Sequence, residues 1–237
     1  MSKRFASGKE YLQRERWEVS RVMSDIVSLQ QEISSFSTSL PDELRLNDAN
    51  IVSWLGRPEH QVYRFLHEWI CILHIDLYRF SLPAIRETGD SELIKILPSD
   101  FRVKSQMQAV AHAITLASFW EVCLHGSNLT RSGNAVLLGD HNIMACAQQC
   151  IKVLLITLKH GLHGKLRWLD TTAPLWRTLG SKPITSQSLR ALIDVALRVL
   201  EPWADIIPSI KPQVTCRTPI DVRRVANVEI STYPLYG

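Results

Sequence analysis

His67, Cys71 and His74 stand at i, i+4 and i+7 of one apolar stretch. That spacing puts all three on one face of a helix. Imidazole and thiolate are competent zinc or iron ligands, but a site built on them needs a further ligand or water from elsewhere. No second pair of ligands stands at metal-site spacing. Polar groups buried beside a core are therefore the expected role, and no metal is expected. Cys146 and Cys150 also share a helix face. Four residues apart on a helix, they are badly placed for a disulfide and are expected as small core groups. Asp76 and Arg79, with Glu68 and Arg86, form a charge set around the same stretch. The spacing of three allows an Asp76–Arg79 contact, and the set reads as an ion-paired seam between helices. Gly161-Leu162-His163-Gly164-Lys165 is loosely like a phosphate loop. It lacks the four-residue gap between glycines and the Ser or Thr after the lysine. No serine sits in a nucleophile elbow, and no aspartate-rich motif of a helical terpene cyclase is present. The expectation is no catalytic residue, no cofactor and no enzyme.

The elements that would position these residues all read as helices. Val62, Leu66, Trp69, Leu73, Leu77 and Phe80 recur at gaps of four, three, four, four and three, the period of one helix face. Phe65, Ile70, Ile72 and Ile75 widen the apolar surface. A helix from Val62 to Phe80, ended by Pro83, is expected at the centre of the fold, with Trp69 and Leu73 in the core. A first helix is expected over Glu10–Phe36. Its residues Val19, Val22, Ile26, Leu29, Ile33 and Phe36 fall at three-four spacing, which suits docking on the core or pairing with another helix. These six are the candidate association surface. Leu44 to Pro58 reads as a loop anchored by Trp54-Leu55. A short helical piece to Leu97 precedes the helix-start signal Pro98-Ser99-Asp100 and a helix over Phe101–Leu124. On that helix Val103, Met107, Val110, Ile114 and Ala117 share one face, and Ala109, Ala111 and Ala113 allow close approach.

Gly126 to Gly139 reads as a loop. A helix over His141–His160 follows, with Ile143, Ala147, Cys150, Leu154 and Leu158 inward and Gly161 placed to end it. Leu162–Pro183 is an irregular or short-helix link with Trp168 and Trp176. The last helix runs over Ser186–Trp203, with Leu189, Leu192, Ile193, Ala196, Leu200 and Trp203 inward. The expected architecture is all-α, about six packed helices over residues 1–210, with an extended or partly disordered tail over 211–237.

The 237 residues are 46% hydrophobic and 21% charged, with a net charge of +4, the balance of an ordinary globular domain. The basic residues are scattered, whereas a nucleic-acid surface gathers them into a stripe. The five cysteines form no CxxC pair, and the N-terminus has no signal-peptide core, which suits a reducing compartment. No uncharged apolar run reaches the length of a membrane span. The nearest, Ile143 to Leu158, contains Gln148, Gln149 and Lys152.

Leu66-His67, Trp69, His74, Asp76-Leu77-Tyr78-Arg79, Pro83 and Glu87 resemble a block in the regulatory domain of fungal binuclear zinc-cluster transcription factors. The helix start Leu97-Pro98-Ser99-Asp100-Phe101, Ala111-His112-Ala113, and Asp140 followed by Ala145-Cys146-Ala147-Gln148-Gln149 are similar to the two helices after that block. The likeness runs from about Trp17 to Leu158, and the Asp-Leu-Tyr-Arg block is its most specific part. The family's six-cysteine DNA-binding cluster and its basic linker have no counterpart here, so the chain looks like the C-terminal half of such a regulator. The resemblance implies a role in transcriptional control, possible control of a biosynthetic pathway, a nuclear location, and protein partners drawn from itself or the transcriptional machinery. No specific DNA contact by this chain and no membrane are expected. The alternative is a stand-alone helical interaction module with no DNA role.

Overall fold

The computed structural model describes residues 3–83, 85, 95–127, 141–164 and 184–203. Among these residues the chain is all-helical. It forms α1 (Lys3–Ser39), α2 (Asp48–Leu55), α3 (His60–Tyr78), α4 (Ser99–Ser127), α5 (His141–Lys159) and α6 (Ser186–Leu200), with short 3-10 turns at Asp42–Leu44, Arg79–Ser81 and Glu201–Trp203. The tail over 211–237 and most of the link before α6 lie outside the described residues.

The helix at the centre is α4, not α3 as the periodicity suggested. α2, α3, α5 and α6 all pack against it. Its core side chains run right round the helix: Val110, Ile114, Leu116, Phe119 and Trp120 are fully enclosed, and Ala109, Ala113 and Ala117 let neighbours approach closely. A helix that is apolar all round is a buried one. For the same reason Ser99–His125 is long and apolar enough to cross a membrane by length and composition, although 67% of its most apolar window is buried inside the fold. Counting charges from Ile143 to Leu158 singled out the wrong helix. Met107 is buried as expected, while Val103 at the start of α4 is exposed.

Leu44 to Pro58 is not a simple loop. Asn47 caps α2, its side chain accepting from the Asn50 amide at 2.8 Å, and this one capping bond satisfies an amide that a helix start otherwise leaves open. Trp54 is held by its ring nitrogen donating to the Glu43 carbonyl at 2.8 Å. α1 extends beyond both expected ends, and α3 gives way to the 3-10 turn before Pro83. Gly161 takes φ 62° at the end of α5, where a side chain would be strained. α6 begins with a capping box, Thr185 and Ser188 each bonding the other's amide. All six residues expected to point inward from this last helix are buried.

Candidate functional site: the two faces of α3

The face of α3 turned toward α4 carries Tyr63, Arg64, His67, Glu68, Cys71, His74, Ile75 and Tyr78. Several polar groups on it meet specific neighbours, while the Tyr78 hydroxyl and the Arg64 Nε and Nη1 make no hydrogen bond. The Tyr63 hydroxyl donates to the Arg45 carbonyl at 3.0 Å, and its ring stacks on Trp54 at 5.4 Å between centroids. His67 Nε2 donates to the Leu44 carbonyl at 2.8 Å, which ties α3 to the turn before α2. Burial outweighs that bond and pulls the His67 pKa down to about 4, because desolvation disfavours the charged ring. Glu68, 1% exposed, accepts from Trp120 Nε1 of α4 at 2.8 Å and faces Arg64 at 3.9 Å. His74 stacks flat on His112 of α4 at 4.0 Å. Burial brings His74 down to about 4, and burial with its neighbour pushes His112 well below the usual imidazole range.

These contacts account for the residues first considered as metal ligands. His67 points its bonded nitrogen at a carbonyl, and His74 lies parallel to a second imidazole, a stacked arrangement in which two rings cannot aim their lone pairs at one ion. Among the described residues no group of three His, Cys, Asp or Glu side chains is placed to hold a metal ion. Cys71, Cys123, Cys146 and Cys150 are buried free thiols. Burial raises Cys71 and Cys123 to about 12 and Cys150 well above its ordinary value. A thiol so raised supplies no thiolate nucleophile at neutral pH. Cys150 instead donates to the Ala113 carbonyl at 3.2 Å, holding α5 against α4.

The charge set separates into two parts. Asp76 and Arg79 do pair, at 3.0 Å, and Arg79 also donates to Gln149 of α5 at 2.8 Å. Glu68 faces the other way, toward Arg64 and Trp120, and Arg86 lies outside the described residues. The Asp76-Leu77-Tyr78-Arg79 block is thus where α3 is tied to α5.

The other face of α3 is the one expected to be core, and the structure turns it outward. Val62 is 70% exposed, Leu73 44% and Trp69 37%. Phe65 is exposed beside Trp69, the two rings meeting edge to face at 5.7 Å. Leu66, Leu77 and Phe80 are half-buried. The proposed seam on α1 also divides. Val19, Val22, Ile26 and Ile33 are half-buried and Ile26 reaches the core, whereas Leu29 and Phe36 are about half exposed. α1 packs against α3, so part of the seam is used within the fold. Sequence reading missed the outward face because hydrophobicity alone ranks Val, Leu and Trp above Tyr, His and Glu. The available signal was the i, i+4 pair Arg64–Glu68, a charge pair that demands a fixed partner once buried.

No family model matches the sequence, no curated protein matches it, and no solved structure matches the fold.

Proposed function

We propose that this chain is the regulatory portion of a transcriptional regulator, a helical module that acts in the nucleus by binding protein partners and contributes no DNA contact itself. The observation that carries this reading is the outward face of α3, where Val62, Phe65, Trp69 and Leu73 stand exposed along about three turns. Large apolar groups gathered on one face mark an association surface more often than scattered ones do. Aromatic side chains such as Trp69 are typical anchors at such surfaces. The resemblance to fungal regulatory domains supports the transcriptional part of the reading. Its most specific block lies at the end of this same helix, with Tyr78 buried and Arg79 bonded to α5.

The test is to fuse the chain to an unrelated DNA-binding domain and read a reporter gene, beside a variant with Trp69→Glu and Leu73→Glu. The expected result is a nuclear product that changes reporter output, with the effect lost in the variant while helicity is kept. A product excluded from the nucleus that still binds partners through α3 would favour the stand-alone interaction module.

A further inference from the structure

α1 has a seven-residue register that its packing on α3 does not use up. Written as heptads, Val19, Ile26 and Ile33 hold the a positions, and Val22, Leu29 and Phe36 the d positions. Met23, Gln30 and Ser37 then hold the e positions, and Glu18, Asp25 and Glu32 the g positions. The structure divides these rows. The a and e residues are half-buried, and so is Val22. That side of the helix faces the fold, where α1 packs on α3 and Ile26 reaches the core. Leu29 and Phe36 are left 49% and 51% exposed, and all three g carboxylates are exposed as well. Asp25, Leu29, Glu32 and Phe36 follow one another at gaps of four, three and four, so they are neighbours on the helix surface. α1 thus presents to solvent an apolar edge bordered by carboxylates.

That pattern selects a partner. Charges at g positions pair with charges on the facing helix, and they set partner choice and orientation. A second copy of this chain fits neither way round. Antiparallel, its carboxylate row would face the same row. Parallel, the carboxylates would face Met23, Gln30 and Ser37, which carry no charge and are turned toward the fold. The one basic residue from Glu18 to Ser39 is Arg21. It meets Asp25 at 3.9 Å with both side chains well exposed, a contact worth so little that a partner's cation can displace it. The complement of this edge is therefore a helix with apolar residues on one side and cations beside them.

We propose that the exposed edge of α1 is a docking site for a basic amphipathic helix of another protein. Its apolar residues lie on Leu29 and Phe36, and its lysines or arginines stand opposite Asp25 and Glu32. This is a second contact surface, on a different helix from the outer face of α3, and it does not depend on the transcriptional reading.

The probe is a fluorescent peptide of about four heptads, with isoleucine at a, leucine at d and lysine at e and g. Its own lysines keep it from pairing with itself. The full chain is titrated against it and binding is read by anisotropy, beside the same peptide with glutamate at e and g. The lysine peptide is expected to bind saturably, and the glutamate peptide at least about tenfold more weakly. The difference should shrink at about 1 M salt, where such charges are screened. Asp25→Lys with Glu32→Lys should reverse the preference, while Asp194→Lys, an exposed acid on α6, should leave it unchanged. Leu29→Ser with Phe36→Ser should abolish binding of the lysine peptide with helicity kept. If that variant does not fold, the charge reversal still decides, because Asp25 and Glu32 are exposed. No saturable binding, equal binding of the two peptides, or a preference that survives the reversal on α1 would each overturn the proposal. So would an equal loss in Asp194→Lys. Binding that is lost in Trp69→Glu with Leu73→Glu, yet kept in Leu29→Ser with Phe36→Ser, would overturn it too, by moving the peptide onto α3.

Discussion

Tyr63, His67, Cys71, His74 and Tyr78 recur along one face of α3 at gaps of four, four, three and four. Val62, Leu66, Trp69, Leu73 and Leu77 recur along a neighbouring face at four, three, four and four. The two spacings are equivalent, and the second set is the more hydrophobic. Yet the first set is buried and the second is partly or largely exposed. What differs is the partners. Several polar groups of the inner face have a counterpart on a neighbouring element, such as the Leu44 carbonyl for His67 and Trp120 for Glu68. Those bonds fix register and orientation, whereas an apolar face can dock with little preference for rotation. A helix with two apolar faces is thus placed by its polar groups.

The largest effects should come from breaking the inner face. Trp120→Ala removes a fully buried ring and leaves Glu68 without its indole donor. It should cost about 3–5 kcal/mol, the range for such core truncations. Glu68→Ala leaves Arg64 buried and uncompensated and should cost a similar amount, about 3–5 kcal/mol. Both are read from urea unfolding of the full chain. Midpoints within error of wild type would mean that the inner face does not organise α3 against α4.

Next in size is the dependence on pH. His67 and His74 titrate near 4 in the folded chain and near 6.5 when unfolded, because burial disfavours their charged forms. The unfolded chain therefore takes up protons first as the pH falls. Stability is full above about 6.5 and is lost progressively as the pH drops toward 4. Each of the two should cost on the order of 2 kcal/mol by pH 5, and His112 adds in the same direction. Urea midpoints compared at pH 7 and pH 5 check this. A flat profile would place these rings in water.

α1 gives an intermediate case. Ile26 and Ile33 are half-buried against the fold, while Leu29 and Phe36 are exposed. Changing Ile26 and Ile33 to Lys should lower stability by about 1–2 kcal/mol without unfolding the domain, since half-exposed long side chains can lift their charge into water. Circular dichroism with urea titration measures it. Complete unfolding would make the seam a full part of the core, and no loss of stability would make it wholly free.

The helices themselves were legible wherever one face clearly dominated. α6 carries its apolar groups on one side, and its capping residues mark where it starts, so both its limits and its inward residues follow from the pattern. α4 was harder. Its apolar groups surround it, so no single stripe announces that it is the hub, and small residues such as Ala113 count for little in hydrophobicity while allowing the closest packing. α2 was hidden because it is eight residues long and depends on the Asn47 cap and on the Trp54 bond to Glu43. The meeting of α2, α3 and α4 was not legible either. Arg64 and His60 are separated from Phe119 and Cys123 by more than fifty residues, and only the packing of α2 and α3 on α4 brings them together.

The smallest effect on stability, and the sharpest test of the comparison, belongs to the outer face. Were Trp69 and Leu73 core residues, as their spacing suggests, alanine at either would cost several kcal/mol. At 37% and 44% exposure much of each side chain is already in water, and truncation leaves little cavity. Trp69 still packs edge to face on Phe65, so Trp69→Ala should cost about 1 kcal/mol or less, and Leu73→Ala about 0.5 kcal/mol, within the range of surface changes. Association is where these residues should matter. An exposed tryptophan at the centre of an apolar face is the type of group whose loss removes much of a complex's binding energy. Self-association or partner capture by the wild-type chain, followed by sedimentation, should therefore fall sharply in Trp69→Ala although the urea midpoint barely moves. The same two measurements on Trp120→Ala should show the reverse order, with stability lost first and association falling only as the fold does. If Trp69→Ala lowers the midpoint as far as Trp120→Ala does, α3 is turned the other way and both faces exchange roles. If it leaves stability and association alike unchanged, the outer face is bare surface, and the proposed mode of action through it is wrong.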